Sequence, residues 1–177
     1  MADFKKILMH TLQHEGGYNK DPHDPGGETY KGISRKYHPE WTGWAIIDRQ
    51  QLLRNFPGSL ESDATLQHLV ENFYQTQFWE PLQGNTLKED VVAASIFDFA
   101  VNAGIGTAVL LACITMGLPQ SKIANDAWVA ALNQQEPKYF LTHYFLAKTI
   151  RYHYLVQQKP DNRRYFYGWI QRALFYS

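Results

Sequence analysis

The chain has 177 residues, with 17 Lys and Arg against 17 Asp and Glu, and one cysteine. That length suits one core-forming domain or two small ones, the lone Cys113 excludes an intrachain disulfide, and no segment approaches the ~20 apolar residues of a membrane span. Residues 61–136 hold nine acids and two bases, whereas 137–177 hold seven bases, one acid and twelve aromatic residues, a pattern that fits either a core under a basic surface or contact with a polyanion.

Phe4, Ile7, Leu8 and Leu12 repeat at helical spacing, with Asp3 as N-cap and Gly16-Gly17 as the stop. Residues 18–33 read as loop, with room for a short hairpin. Ser34–Tyr37 fits one helical turn. Ile46–Phe56 fits a helix ending before Pro57-Gly58. Ser62 is placed to cap a long helix carrying Leu66, Leu69, Val70, Phe73 and Gln77. Glu89–Ala103 is apolar on most sides, as a central buried helix would be. Gly104 breaks it, and Gly106–Met116 continues as another helix containing Cys113, a small buried hydrophobe. Asn125 caps a helix over Asp126–Asn133. Glu136-Pro137 opens a long helix to about Val156, with Pro at its first position. Pro160-Asp161 opens the last, through Tyr165, Trp169 and Leu174. The fold class is mainly α, in seven to nine helices, with a small irregular or hairpin region near residues 18–33. Residues 1–177 read as a single domain; GLPQSK (117–122) is the best internal boundary.

The segment HEGGYNKDPHDPGGETYKGI (14–33) makes a poor helix and a poor strand. Glu15 closes the first helix, extends its apolar stripe and sits at the negative end of the helix dipole. Apolar surroundings and that dipole both favour the neutral carboxyl a general acid needs. Asp24 stands nine residues on, in a Pro- and Gly-rich turn where a carboxylate stays solvated and ionised; Asp21, in a similar Asp-Pro turn, is the alternative. One carboxyl kept protonated and one kept ionised is the pair glycoside hydrolysis uses. Thr29 is placed to help hold a water. Tyr18, Tyr30, Trp41, Trp44 and Trp79 are candidates to stack on sugar faces, and Asn102, one helical turn beyond Asp98, to hydrogen-bond a sugar or orient the acid.

The stretch EGGYNKDPHDPGGETYKGI resembles the N-terminal motif of glycoside hydrolase family 108, a family of N-acetylmuramidases of phages and bacteria. FYQTQFW (73–79), FDFAVNAG (97–104) and YGWIQR (167–172) resemble further motifs of that family, so the resemblance covers most of the chain. It implies a lysozyme-like helical fold with the catalytic motif in residues 1–90, and a catalytic Glu at Glu15. It also implies hydrolysis of the β-1,4 bond between N-acetylmuramic acid and N-acetylglucosamine, with no cofactor and no metal. Eight residues separate Glu15 from Asp24, as in phage lysozymes, and four rather than five separate Asp24 from Thr29, so Tyr30 stands at the strict spacing. The second half reads PQSKIANDAWVAAL where many relatives carry a peptidoglycan-binding signature, so a separate wall-binding role for residues 90–177 has little support in the sequence. The expected partner is bacterial peptidoglycan and not nucleic acid. Residues 1–15 lack the apolar run of a secretory signal. The expectation is therefore a chain made in the cytoplasm that acts on the wall after release, either as a prophage endolysin with a holin as its releasing partner or as a host protein exported by an unusual route.

Two rival readings remain open. His10 and His14 in HTLQH, with His23 nearby, suit a zinc-dependent wall hydrolase. The basic, aromatic C-terminal region suits a non-catalytic binder of cell wall or nucleic acid.

Overall fold

The computed structural model describes residues 1–21 and 26–175. They form eight α-helices and one three-stranded antiparallel sheet. The elements are α1 (Phe4–Glu15), β1 (Tyr18–Lys20), β2 (Glu28–Tyr30), β3 (Ile33–Ser34), α2 (Gly43–Gln50), α3 (Ala64–Tyr74), α4 (Asp90–Ala103), α5 (Ile105–Thr115), α6 (Asp126–Leu132), α7 (Pro137–Gln158) and α8 (Arg163–Leu174). The fold is mainly α, as the sequence pattern implies. The chain divides into two compact units, Leu8–Gln75 and Met1–Ile7 with the chain from Thr76 on, where the sequence reads as one domain.

Several helix ends follow the expected capping chemistry. The Lys6 N–H donates to Asp3 Oδ1 at 3.2 Å, and the Trp128 N–H to Asn125 Oδ1 at 2.9 Å. Glu136 accepts from the Lys138 and Tyr139 N–H groups, with Pro137 opening α7 behind it. Each such bond satisfies a donor that the helix itself leaves orphaned.

Two helices differ from expectation at both ends. The helix placed at Ile46–Phe56 is instead Gly43–Gln50. At its start the Trp41 ring folds over Gly43 and leaves no room for a Cβ. It stops early because Leu52 and Leu53 are 88% and 50% exposed and bury little in return for helical order. The cap of α3 is Asp63 rather than Ser62: Asp63 is extended and accepts from the Leu66 N–H at 2.9 Å, while the Ser62 hydroxyl donates to the Ser59 carbonyl inside a 3-10 turn. The helix also ends at Tyr74, followed by one π-helical turn over Gln75–Trp79.

In the unit that includes residues from Thr76 on, α4 is the buried centre. Ile96, Phe97 and Ala100 are fully buried. Phe4 and Trp79 pack edge or tilted against Phe97 or each other at 5.3 to 6.0 Å, and Phe99 meets Tyr144 and Tyr152 of α7 edge-on. Such pairings add to the burial of large apolar area.

Candidate active site

In the Leu8–Gln75 unit the sheet is an antiparallel meander. Tyr18 pairs with Tyr30, and Tyr30 with Ile33, leaving Lys31 and Gly32 as a two-residue hairpin turn. Both have positive φ, 44° and 77°, the backbone a twisted two-residue hairpin requires. Glycine adopts it freely, whereas a lysine there costs roughly 1 kcal/mol. The surroundings hold Lys31 in place. Its N–H donates to the Gly17 carbonyl, and its carbonyl accepts the Tyr74 hydroxyl at 2.6 Å. Its ammonium reaches Gln67 Oε1 at 2.7 Å and Glu61 Oε2 at 2.8 Å.

Glu15 is half-buried at the last position of α1, and Gly16, with φ of 73°, turns the chain away from it. The carboxylate lies against the hairpin turn. A Cβ on Gly32 would stand 2.6 Å from Glu15 Oε2 and 2.7 Å from the Tyr74 hydroxyl oxygen. The bare glycine backbone therefore makes room for both groups on one small patch. Glu15 from the end of α1, Gly32 from the β2–β3 turn and Tyr74 from the end of α3 thus meet, although 42 residues separate Gly32 from Tyr74 in the chain.

Thr29 sits in the central strand between Asn19 and Ser34, so alternation puts its side chain on the opposite sheet face from Tyr30. Tyr30 corrects the expectation of a sugar platform. It is fully buried, and its hydroxyl donates toward Leu60 and Glu61 and accepts from Gln67 at 2.9 Å. Burial pushes that hydroxyl's pKa up to about 12. Tyr18 is half-buried and bound into a polar chain. Its hydroxyl donates to Glu28 Oε1 at 2.8 Å and accepts from Gln51, and its ring meets Phe56 edge-on at 4.7 Å. Burial first, then the bond to Glu28, raises it to about 12. Glu28 Oε2 lies 3.0 Å from Arg35 Nε, and Arg35 makes a two-pronged contact with Asp48. That contact holds the Asp48 carboxyl below its usual range. Trp44 is buried as well, its indole N–H donating to the His38 carbonyl, while Trp41 is half-buried against it.

The other unit contains Trp79 and Asn102. Trp79 is 1% exposed, too buried to stack on a sugar: its ring presses on Gly84, and its N–H donates to Asn85 Oδ1 at 2.7 Å. Asn102 donates to the Tyr152 hydroxyl at 3.0 Å, and Asp98 takes a two-pronged bond from Arg172 at 2.8 and 2.9 Å. These two polar groups of α4 are thus answered by side chains of α7 and α8. Asp24 and His23 lie outside the described residues. Among the described residues no three His, Cys, Asp or Glu side chains converge as a metal site would need.

Gly32 and Tyr74 are the members of the cluster that reading the sequence for chemistry passes over. Gly32 is one of several glycines in this stretch, and nothing local marks it as the one that faces Glu15. Tyr74 sits among the apolar positions of α3, and nothing in its sequence context separates it from core.

Residues 8–104 match the family described as Glycosyl hydrolase 108, and residues 122–174 match a Predicted Peptidoglycan domain. The second match runs against the expectation that the sequence gives little support for a separate wall-binding role in residues 90–177. The fold is similar to that of SagA from Brucella abortus, with a TM-score of 0.69 and 22% identity over 98% of this chain and 90% of that one. Comparison with curated proteins finds no match.

Proposed function

The chain belongs to the glycosyl hydrolase 108 family, and from that premise we propose that it is an N-acetylmuramidase with Glu15 as its general acid. The two family matches make it a glycosyl hydrolase acting on peptidoglycan. What supports the finer reading is one observation. The Glu15 carboxylate is held at a helix end against a glycine turn that leaves no space for a side chain. A catalytic acid needs this kind of fixed placement, because misplacement by about 1 Å can cost a hundredfold in rate.

In this reading the Glu15 carboxylic acid gives its proton to the glycosidic oxygen as the bond from C1 of N-acetylmuramic acid breaks. Positive charge develops on C1 and the ring oxygen. Water adds to C1, and its proton passes to a second carboxylate, Asp24, or Asp21 as the alternative. Thr29 is proposed to orient that water.

Glu15→Gln keeps the shape and removes the acid. It is expected to lower lysis of purified peptidoglycan by about a hundredfold or more with folding intact. Mass spectrometry of the wild-type digest is expected to show N-acetylmuramic acid at the new reducing ends. A Glu15→Gln protein that lyses at a comparable rate would sink the assignment. A wild-type chain that binds sacculi without cutting them would favour the non-catalytic wall binder instead.

A further inference from the structure

Between α5 and α7 lies a groove of about 520 Å³, within the range of sites that seat small ligands. Leu110, Ile114 and Ile150 form an apolar floor, Tyr154 offers an exposed ring, and Lys122 and Arg151 supply two cations. Neither α5 nor α7 carries an Asp or Glu side chain, so nothing on the two walls offsets that positive charge. Neither Lys122 nor Arg151 forms an ion pair among the described residues, and Arg151 Nε is buried with no hydrogen-bond partner there. A buried N–H without an acceptor is costly and rare in a native protein. Lys122 is also positioned: its aliphatic stem crosses the face of Gly106, where a Cβ would stand 3.3 Å from Lys122 Cβ.

We propose that this groove seats the stem peptide of peptidoglycan, with its carboxylates on Lys122 and Arg151 and its small methyl side chains on the apolar floor. The inference rests on the reading of peptidoglycan as substrate and adds which part of it this groove holds. Five of the nine lining residues, including both cations, fall within the segment that matches a peptidoglycan domain. Charge complementarity decides between peptide and glycan. The glycan backbone is met by aromatic faces and amides, whereas two fixed cations over aliphatic side chains suit a short peptide with several carboxylates.

The test uses the full chain in the Glu15→Gln background, so that substrate is bound without being consumed. Binding is measured to intact sacculi and to the soluble glycan strands that an amidase leaves when it removes the stem peptides. Lys122→Glu/Arg151→Glu is expected to bind intact sacculi about tenfold more weakly, the effect of two modest charge contacts, and the peptide-free glycan strands as well as the parent does. Lys122→Arg/Arg151→Lys keeps the charges and should bind like the parent. Free stem tripeptide should displace the parent protein, which checks the idea without any groove substitution. Equal binding of parent and charge-reversed protein to intact sacculi, or no displacement by tripeptide, overturns the proposal. So does a charge-reversal effect seen only on vesicles of anionic phospholipid, or only on self-association. A wild-type chain that cuts no glycan but shows peptide-dependent binding defeats the muramidase reading and leaves the groove standing; a chain that cuts glycan and ignores peptide does the reverse.

Discussion

At Gly32 a single methyl group is enough to disturb the candidate acid. The position has φ of 77°, and a Cβ there would meet Glu15 Oε2 at 2.6 Å. Gly27 offers the matched control. Its φ of 68° imposes the same backbone strain, and among the described residues a Cβ there meets nothing within 4 Å. Both Gly→Ala variants should lose about 1 kcal/mol of stability from the left-handed backbone. Only Gly32→Ala should also lose activity, by about tenfold or more, because the carboxyl must move. Denaturant titration and lysis rates of the two variants separate the effects; equal activities would show that the turn does not position Glu15. The same scale shows what a sequence conceals. Glu15 stands out because an acid at a helix C-terminus runs against the dipole preference. Tyr30 and Trp79 look like any other aromatic near a carbohydrate motif, and only the fold reveals that both rings are buried. The hydroxyl and indole N–H then find partners inside the protein, as buried polar groups must.

The motifs of the second half act at the scale of helices. FDFAVNAG lies on α4 and YGWIQR on α8, and they meet through Asp98 and Arg172, 74 positions apart in the chain. Trp169 of the second motif stacks on Tyr152 at 5.1 Å, and Tyr152 accepts from Asn102 of the first. These residues lock α4, α7 and α8 together. Arg172→Met leaves the Asp98 carboxylate buried without its partner, with an expected loss of about 3–5 kcal/mol. Asp98→Leu/Arg172→Met should recover most of that loss, since a buried pair often contributes little over apolar packing. If the single variant unfolds at the wild-type denaturant midpoint, the pair is not what joins these helices. Element existence was legible because caps and apolar periods are local signals: Asp3, Asn125 and Glu136-Pro137 all mark real helix starts. The end of α2 and the strand Ile33–Ser34 were not, because packing at a distance decides both.

For the molecule as a whole, the family segments and the compact units divide the chain differently. The Glycosyl hydrolase 108 match runs through α4 to residue 104, yet α4 belongs to the same compact unit as α6, α7 and α8. The peptidoglycan-matching segment therefore shares a core with the end of the hydrolase segment and is not a detachable module. Lys148 lies inside that core, 2% exposed, with its ammonium 3.1 Å from Ser95 Oγ of α4 and over the rings of Tyr144 and Phe99. Burial, partly offset by Asp98, lowers its pKa from 10.5 to about 8. Between those values the unfolded chain holds a proton that the folded chain has released, so stability rises with pH through that window. Below about pH 8 both states are protonated, and the folded protein bears the full cost of a buried charge. Lys148→Met removes the titration and keeps the volume. Its stability relative to wild type should be most favourable near pH 7 and should fall by about 2 kcal/mol by pH 10, as the wild type sheds its buried proton. Other groups titrate in that range in both proteins, so the quantity to measure is the difference in unfolding free energy at each pH. A difference that stays flat from pH 7 to pH 10 would mean that Lys148 keeps its proton in the folded core, and that the rings and Ser95 hold it there as a cation.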